Sequence, residues 1–142
     1  MKEWFDIKEL VCPHVYDRHG ESAWRLFDPR IIEVMTWLRR TINKRIYVNM
    51  PSLGLTQRGL RCNLCSLVKA KTEAGILYVS PHLLAAGFDF DVEGMTAEEV
   101  RQWLVQHKEE LPYPIRIEQD VNWVHLDVLT NSKEKIIFFP AT

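Results

Sequence analysis

Two short segments limit how this chain can fold more than anything else in it. One is Ser80-Pro81-His82-Leu83-Leu84-Ala85-Ala86-Gly87-Phe88-Asp89 and the other is Trp123-Val124-His125-Leu126-Asp127. A catalytic zinc ion takes three nitrogen or oxygen ligands at about 2.0–2.2 Å and keeps a fourth position for water. If His82, Asp89 and His125 are to serve together, segments far apart in the sequence must become neighbours in the fold. Residues 88–92 alternate apolar and acidic side chains with the period of a half-buried strand, so Asp89 and Asp91 share one face. Trp123, His125 and Asp127 share a face of a second strand by the same rule. Two adjacent strands, with His82 in the turn before the first, bring the three groups together. Asp127 is then placed to orient an imidazole by accepting its other N–H. Asp91 and Asp127 are read as hydrogen-bonding or solvent-facing acids rather than as ligands.

The rest of the pattern predicts what surrounds those strands. Asp28 is a good N-cap, Pro29 fits the first helical position, and Ile31, Ile32, Met35 and Leu38 follow at helical spacing, which predicts a helix ending near Asn43. Thr96 and Glu99 form a capping-box signature. With Val100, Trp103, Leu104 and His107 they predict a second helix to about Glu110, packed over a sheet. Strands are predicted at 46–50 and 75–80 and, after the breakers Pro112 and Pro114, at 115–119, 122–129 and 135–139, the last three as an antiparallel meander. Residues 1–20 read as an irregular lead-in with a helical turn near 7–11, and 53–59 as part of a long loop. Helix and strand signals do not alternate as βαβ units. The expectation is a single α+β domain over 1–142, with helices packed on a small antiparallel sheet.

Apolar residues make up 46% and charged residues 26% of the 142, a balance that supports a packed core. The formal charge is −1 with both signs interspersed, which gives no basic field for nucleic acid or an anionic membrane. No apolar run approaches the roughly 20 residues of a membrane span. The first residues carry two acids and lack the apolar core of a secretory signal, so the chain is expected to be cytoplasmic as synthesised. The three cysteines, Cys12, Cys62 and Cys65, do not suggest a disulfide framework and are expected as free thiols. Two alternatives remain for Cys62-Asn63-Leu64-Cys65: a four-ligand structural zinc site completed by Cys12 and His14, or a redox pair. Beyond that option, His14, His19 and His107 have no partner spacing that singles them out.

With these residues identified, the chain resembles a known family. Ser80-x-His82, Asp89 seven residues further on, and the Trp-x-His around His125 resemble peptidase family M15, the zinc D-Ala-D-Ala carboxypeptidases and peptidoglycan endopeptidases that include many bacteriophage endolysins. The family pattern Ser-x-His-x-x-Gly-x-Ala-x-Asp is met with its two small residues exchanged, at Ala85 and Gly87. The resemblance covers residues 28–128 and is strongest in the two metal segments. It implies a Hedgehog/DD-peptidase-like fold, zinc held by His82, Asp89 and His125, and hydrolysis of amide bonds in cell-wall stem or cross-link peptides. It also implies release to the wall by a phage lysis system. Of the family's Ser-Gly-Tyr-Arg segment only Gln57-Arg58 matches, with Asn63 at the family spacing. That implies Arg58 as the group holding the peptide chain, with Arg61 as a rival. A Glu closing the preceding strand implies Glu118 as general base. Asp120 is the alternative, and Asn122, where some branches carry an acid, cannot take a proton. Two other readings stay open: a non-catalytic binding module on the same fold, and an interaction domain stabilised by metal at Cys12, His14, Cys62 and Cys65.

Overall fold

The computed structural model describes residues 1–141. Among them are four α-helices, α1 (Pro13–His19), α2 (Pro29–Ile42), α3 (Ser66–Glu73) and α4 (Ala97–Gln106). Five strands form one sheet: β1 (Ile46–Tyr47), β2 (Gly87–Val92), β3 (Ile115–Glu118), β4 (Val124–Asp127) and β5 (Ile136–Phe139). The architecture is mixed α+β, with strand order β1-β2-β4-β3-β5.

The two predicted helices form for the expected reasons. The Asp28 side chain accepts from the Arg30 N–H at 2.9 Å and starts α2, which buries Ile31, Val34, Met35, Leu38 and Ile42 and stops at Asn43 in the left-handed region. Thr96 and Glu99 complete a reciprocal capping box at the start of α4, which packs on β2 and β4. Beneath the helices lie Phe88 and Phe90 of β2, Ile115 and Ile117 of β3, and Val124 and Leu126 of β4, all fully buried. Each such side chain contributes about 1.5–3 kcal/mol by leaving water. Because strand side chains alternate, the opposite face of the same strands carries Asp89, Asp91, Arg116, Glu118, His125 and Asp127. This polar face holds the predicted site.

Four expectations are corrected. The C-terminal strands are not a simple meander: β4 pairs antiparallel with both β2 and β3, and β5 crosses to the far edge of β3 and runs parallel to it. Both edges of β4 are taken, and β5 joins the free edge of β3. Residues 75–80 form no strand, and Ile76, Leu77 and Val79 are exposed, because β-propensity without a partner edge makes no ladder. The 46–50 strand is only Ile46–Tyr47, with Met50 bridging Leu55 instead. The lead-in is ordered: Asp6 caps a 3₁₀ turn over Ile7–Glu9, α1 follows, and Phe5, Ile7, Leu10 and Val11 belong to the main core. No helix is long and apolar enough to cross a membrane among the described residues.

Candidate metal centre

His82, Asp89 and His125 come together, with one potential ligand atom from each lying within 4.8 Å of the others. The sheet register is the reason. Asp89 of β2 sits directly opposite His125 of β4, and His82 lies in the turn leading into β2. All three are buried. That turn is tight. Ala85 takes a left-handed φ of 52°, at the position where the family pattern has glycine. A Cβ on Gly87 would sit 2.7 Å from Asp127 Cβ and 2.9 Å from Pro81 Cβ, so only glycine lets β2 approach β4 this closely.

Each imidazole is anchored through one nitrogen and aimed at Asp89 with the other. His82 Nδ1–H donates to the Gly59 carbonyl at 2.9 Å, and its Nε2 lies 3.2 Å from Asp89 Oδ2. His125 Nε2 meets Asp127 Oδ2 at 2.8 Å, and its Nδ1 lies 2.8 Å from Asp89 Oδ1. Asp127 is itself held by a bidentate pair from Arg116 at 2.8 and 2.9 Å. Outer acceptors of this kind fix the tautomer and direction of a ligating histidine. The donor set left over, one nitrogen from each ring and a carboxylate oxygen, fits a divalent ion such as zinc.

Charge on this face is balanced without an ion. Burial opposes ionisation of Asp89, but hydrogen bonds from His125 and His82 outweigh it and hold the carboxyl well below its ordinary range. Burial likewise opposes a charge on His125, yet its bonds to Asp127 and Asp89 raise its pKa to about 9. Asp127, although buried, is held low by His125 and Arg116. The Arg61 guanidinium, 3.4 Å from Asp89 Oδ2, adds positive charge on the other side of that carboxylate.

The other predicted site residues lie around this centre at different distances. Arg58 is buried, and its guanidinium is bidentate on Asp91 at 3.0 and 3.1 Å. Its rival Arg61 reaches the Asp89 carboxylate and lies 3.4 Å from the Tyr78 hydroxyl. Glu118 shares the polar face with Arg116. The β3–β4 register pairs Arg116 with Asp127 and Ile117 with Leu126, and Glu118 is the next and last residue of β3. Its carboxylate makes no side-chain hydrogen bond or ion pair among the described residues. Asp120 turns away, in a left-handed turn, to line a cavity with Arg101 and Val105 of α4. Phe139 closes the centre on the β5 side, its ring edge-on to His125 at 5.6 Å and under the Arg116 guanidinium.

Sequence reasoning did not find Arg116 or the Gly59 carbonyl. Arg116 was within reach, since the period of two puts it on the face of Glu118. The Gly59 contact depends on a loop approaching from elsewhere and leaves no periodic trace. The Ser80 hydroxyl and the Trp123 indole N–H, each two residues before a candidate ligand, are buried with no hydrogen-bond partner among the described residues. A second group that can hold a metal ion is formed by Cys12, His14, Cys62 and Cys65. Comparison with models of protein families, with curated proteins and with solved structures finds no match for this chain.

Proposed function

We propose that the chain is a zinc-dependent amide hydrolase acting on peptidoglycan stem or cross-link peptides. The observation that carries this reading is the pair of anchored imidazoles whose second nitrogens converge with the Asp89 carboxylate on a polar sheet face. Structural zinc sites fill all four positions with protein ligands, whereas this group offers three and leaves one position for water. His82 Nε2, Asp89 and His125 Nδ1 would hold the zinc, which would supply Lewis acidity for the scissile carbonyl and for water.

The chain's own residues do the rest. Glu118, on the same sheet face as His125 and with no side-chain partner among the described residues, takes a proton from the attacking water as the new C–O bond forms. It returns that proton to the leaving nitrogen as the C–N bond breaks. Arg61 holds a substrate carboxylate or carbonyl with its planar fork. Arg58 remains the brace of Asp91, a positioning role rather than the contact with the peptide chain that the resemblance implies. Asp127 and Arg116 keep His125 in its ligating orientation.

The test is release of new amino groups from purified peptidoglycan. Activity is expected to vanish with chelation and return with zinc. Glu118→Gln is expected to lower turnover by about 10²- to 10⁴-fold, the usual worth of a general base, with zinc content unchanged. Full turnover by Glu118→Gln would remove Glu118 from the mechanism. An inert wild-type chain carrying zinc at His82, Asp89 and His125 would replace the hydrolase with a binding module.

A further inference from the structure

Cys12, His14, Cys62 and Cys65 belong to none of the five strands, and the proposed hydrolysis uses none of them. Their four ligand atoms all fall within 4.8 Å of one another. His14 Nδ1 is 3.5 Å from Cys62 Sγ and 3.9 Å from Cys65 Sγ. A tetrahedral zinc ion, with bonds of about 2.3 Å to sulfur and about 2.0–2.1 Å to nitrogen, sets those two ligand types about 3.5 Å apart. A thiol–imidazole hydrogen bond accounts for one such contact. It does not account for three sulfurs and a nitrogen, from two segments distant in sequence, all lying within 4.8 Å of one another.

The backbone is shaped to the sulfurs as well. The Leu64 N–H points to Cys62 Sγ at 3.3 Å, the Cys62 N–H to Cys65 Sγ at 3.4 Å, and the Cys65 N–H donates to the Cys62 carbonyl at 3.2 Å. Amide donors of this kind stabilise sulfur as the thiolate that binds a metal. The two segments are aligned by a parallel bridge between Val11 and Leu60, with Cys12 N–H donating to the Leu60 carbonyl at 3.0 Å. Gly59 allows that pairing, since a Cβ there would lie against the Leu10 carbonyl.

Apolar packing is thin at the same place. The apolar cluster that contains the cysteines has three buried members, Cys12, Cys65 and Val68, and Val68 is the one buried residue of α3. We propose that Cys12, His14, Cys62 and Cys65 hold a structural zinc ion that cross-links the start of α1 to the 59–65 segment. Four protein ligands leave no open position, so this ion does no hydrolysis, and thiolates favour zinc over harder divalent ions. The cross-linked segment also carries the Gly59 carbonyl that anchors His82 and the Arg61 side chain that reaches Asp89. The assignment holds whether or not the chain cuts peptides.

Cobalt(II) distinguishes the two sites, because only a thiolate site gives sulfur-to-cobalt charge-transfer absorption in the near ultraviolet. Reduced, metal-stripped protein refilled with cobalt is expected to show that band. His82→Ala/His125→Ala is expected to keep it, and Cys62→Ser/Cys65→Ser to lose it together with one metal per chain. A second readout needs no variant: in zinc-loaded wild type the cysteines are expected to resist alkylation, and all three to react once zinc is chelated. Cobalt-loaded wild type without the band, or equal alkylation with and without zinc, overturns the proposal. So does a reversible Cys62–Cys65 disulfide that forms in the presence of zinc, which would make the pair a redox device instead.

Discussion

The molecule carries two groups of metal-binding residue types, and they are held in place in different ways. Asp89 and His125 sit on paired strands over a continuous core, with His82 in the turn before β2, and every side chain in the group is already bonded: His82 to Gly59, Asp89 to His125 and Arg61, His125 to Asp127. Cys12, His14, Cys62 and Cys65 sit between a short helix and a connecting segment. They are backed by a satellite cluster whose fully buried members are two of those cysteines and Val68. The first site is held in place by protein contacts alone, so a metal bound there would be free to do chemistry. The second is backed by a small apolar cluster, so a metal bound there would act as structure.

The largest effect should come from removing metal. Chelation under reducing conditions is expected to cost several kcal/mol, since zinc binding by small Cys/His sites is worth on the order of 10 kcal/mol. The loss should be local. Hydrogen exchange is expected to show amides of α1 and 59–73 losing protection while β2 and β4 keep theirs. Uniform loss over the whole sheet would erase the distinction between the two regions.

Gly87→Ala should act on the sheet site alone. The added Cβ meets Asp127 and Pro81, and relieving that overlap is expected to cost about 1–3 kcal/mol in thermal or urea unfolding. Metal at the cysteine group should be unaffected, as cobalt absorption would show.

A change of pH should produce a drift rather than a step. His125 has its pKa raised from 6.5 to about 9, so its bonds to Asp127 and Asp89 stabilise the metal-free chain fully below pH 6.5 and are lost as the pH rises through about 9. Asp89 and Asp127 are held below the ordinary 3.8, so their contribution is present above that value and fades as the pH falls below it. Zinc displaces the His125 proton, so the alkaline loss should disappear in loaded protein. Urea midpoints across the pH range, with and without zinc, check both arms. The smallest effect is expected from Ala85→Gly. Relief of the left-handed φ, about 1–2 kcal/mol, is offset by loss of a buried methyl worth about 0.8 kcal/mol, leaving a gain of about 0.5 kcal/mol.

How much of this was legible in the sequence follows the same division. The sheet site was readable because period-two alternation at Phe88, Asp89, Phe90 and Asp91 assigns faces, and a face is what brings ligands together. The caps at Asp28 and Thr96 were readable because they depend on residues a few positions apart. The parallel placement of β5 was not, since periodicity says nothing about which edge a strand joins. Ile76, Leu77 and Val79 misled for that reason too, having strand propensity and no edge to meet. The sequence offered Cys12, His14, Cys62 and Cys65 together as one alternative among several, and their meeting depends on the pairing of Val11 with Leu60, which leaves no local signal. For Arg58 and Arg61 the spacing favoured the first, while the fold turns Arg58 onto Asp91 and Arg61 onto Asp89.

The most direct test of the central claim is the zinc content of untagged protein refilled with zinc after stripping, compared with His82→Ala/His125→Ala. The account predicts two zinc ions per wild-type chain and one in the double variant, with the lost ion being the one required for peptidoglycan hydrolysis. Equal zinc content in the two proteins would contradict it, leaving the sheet face an ion-pair network with no metal chemistry.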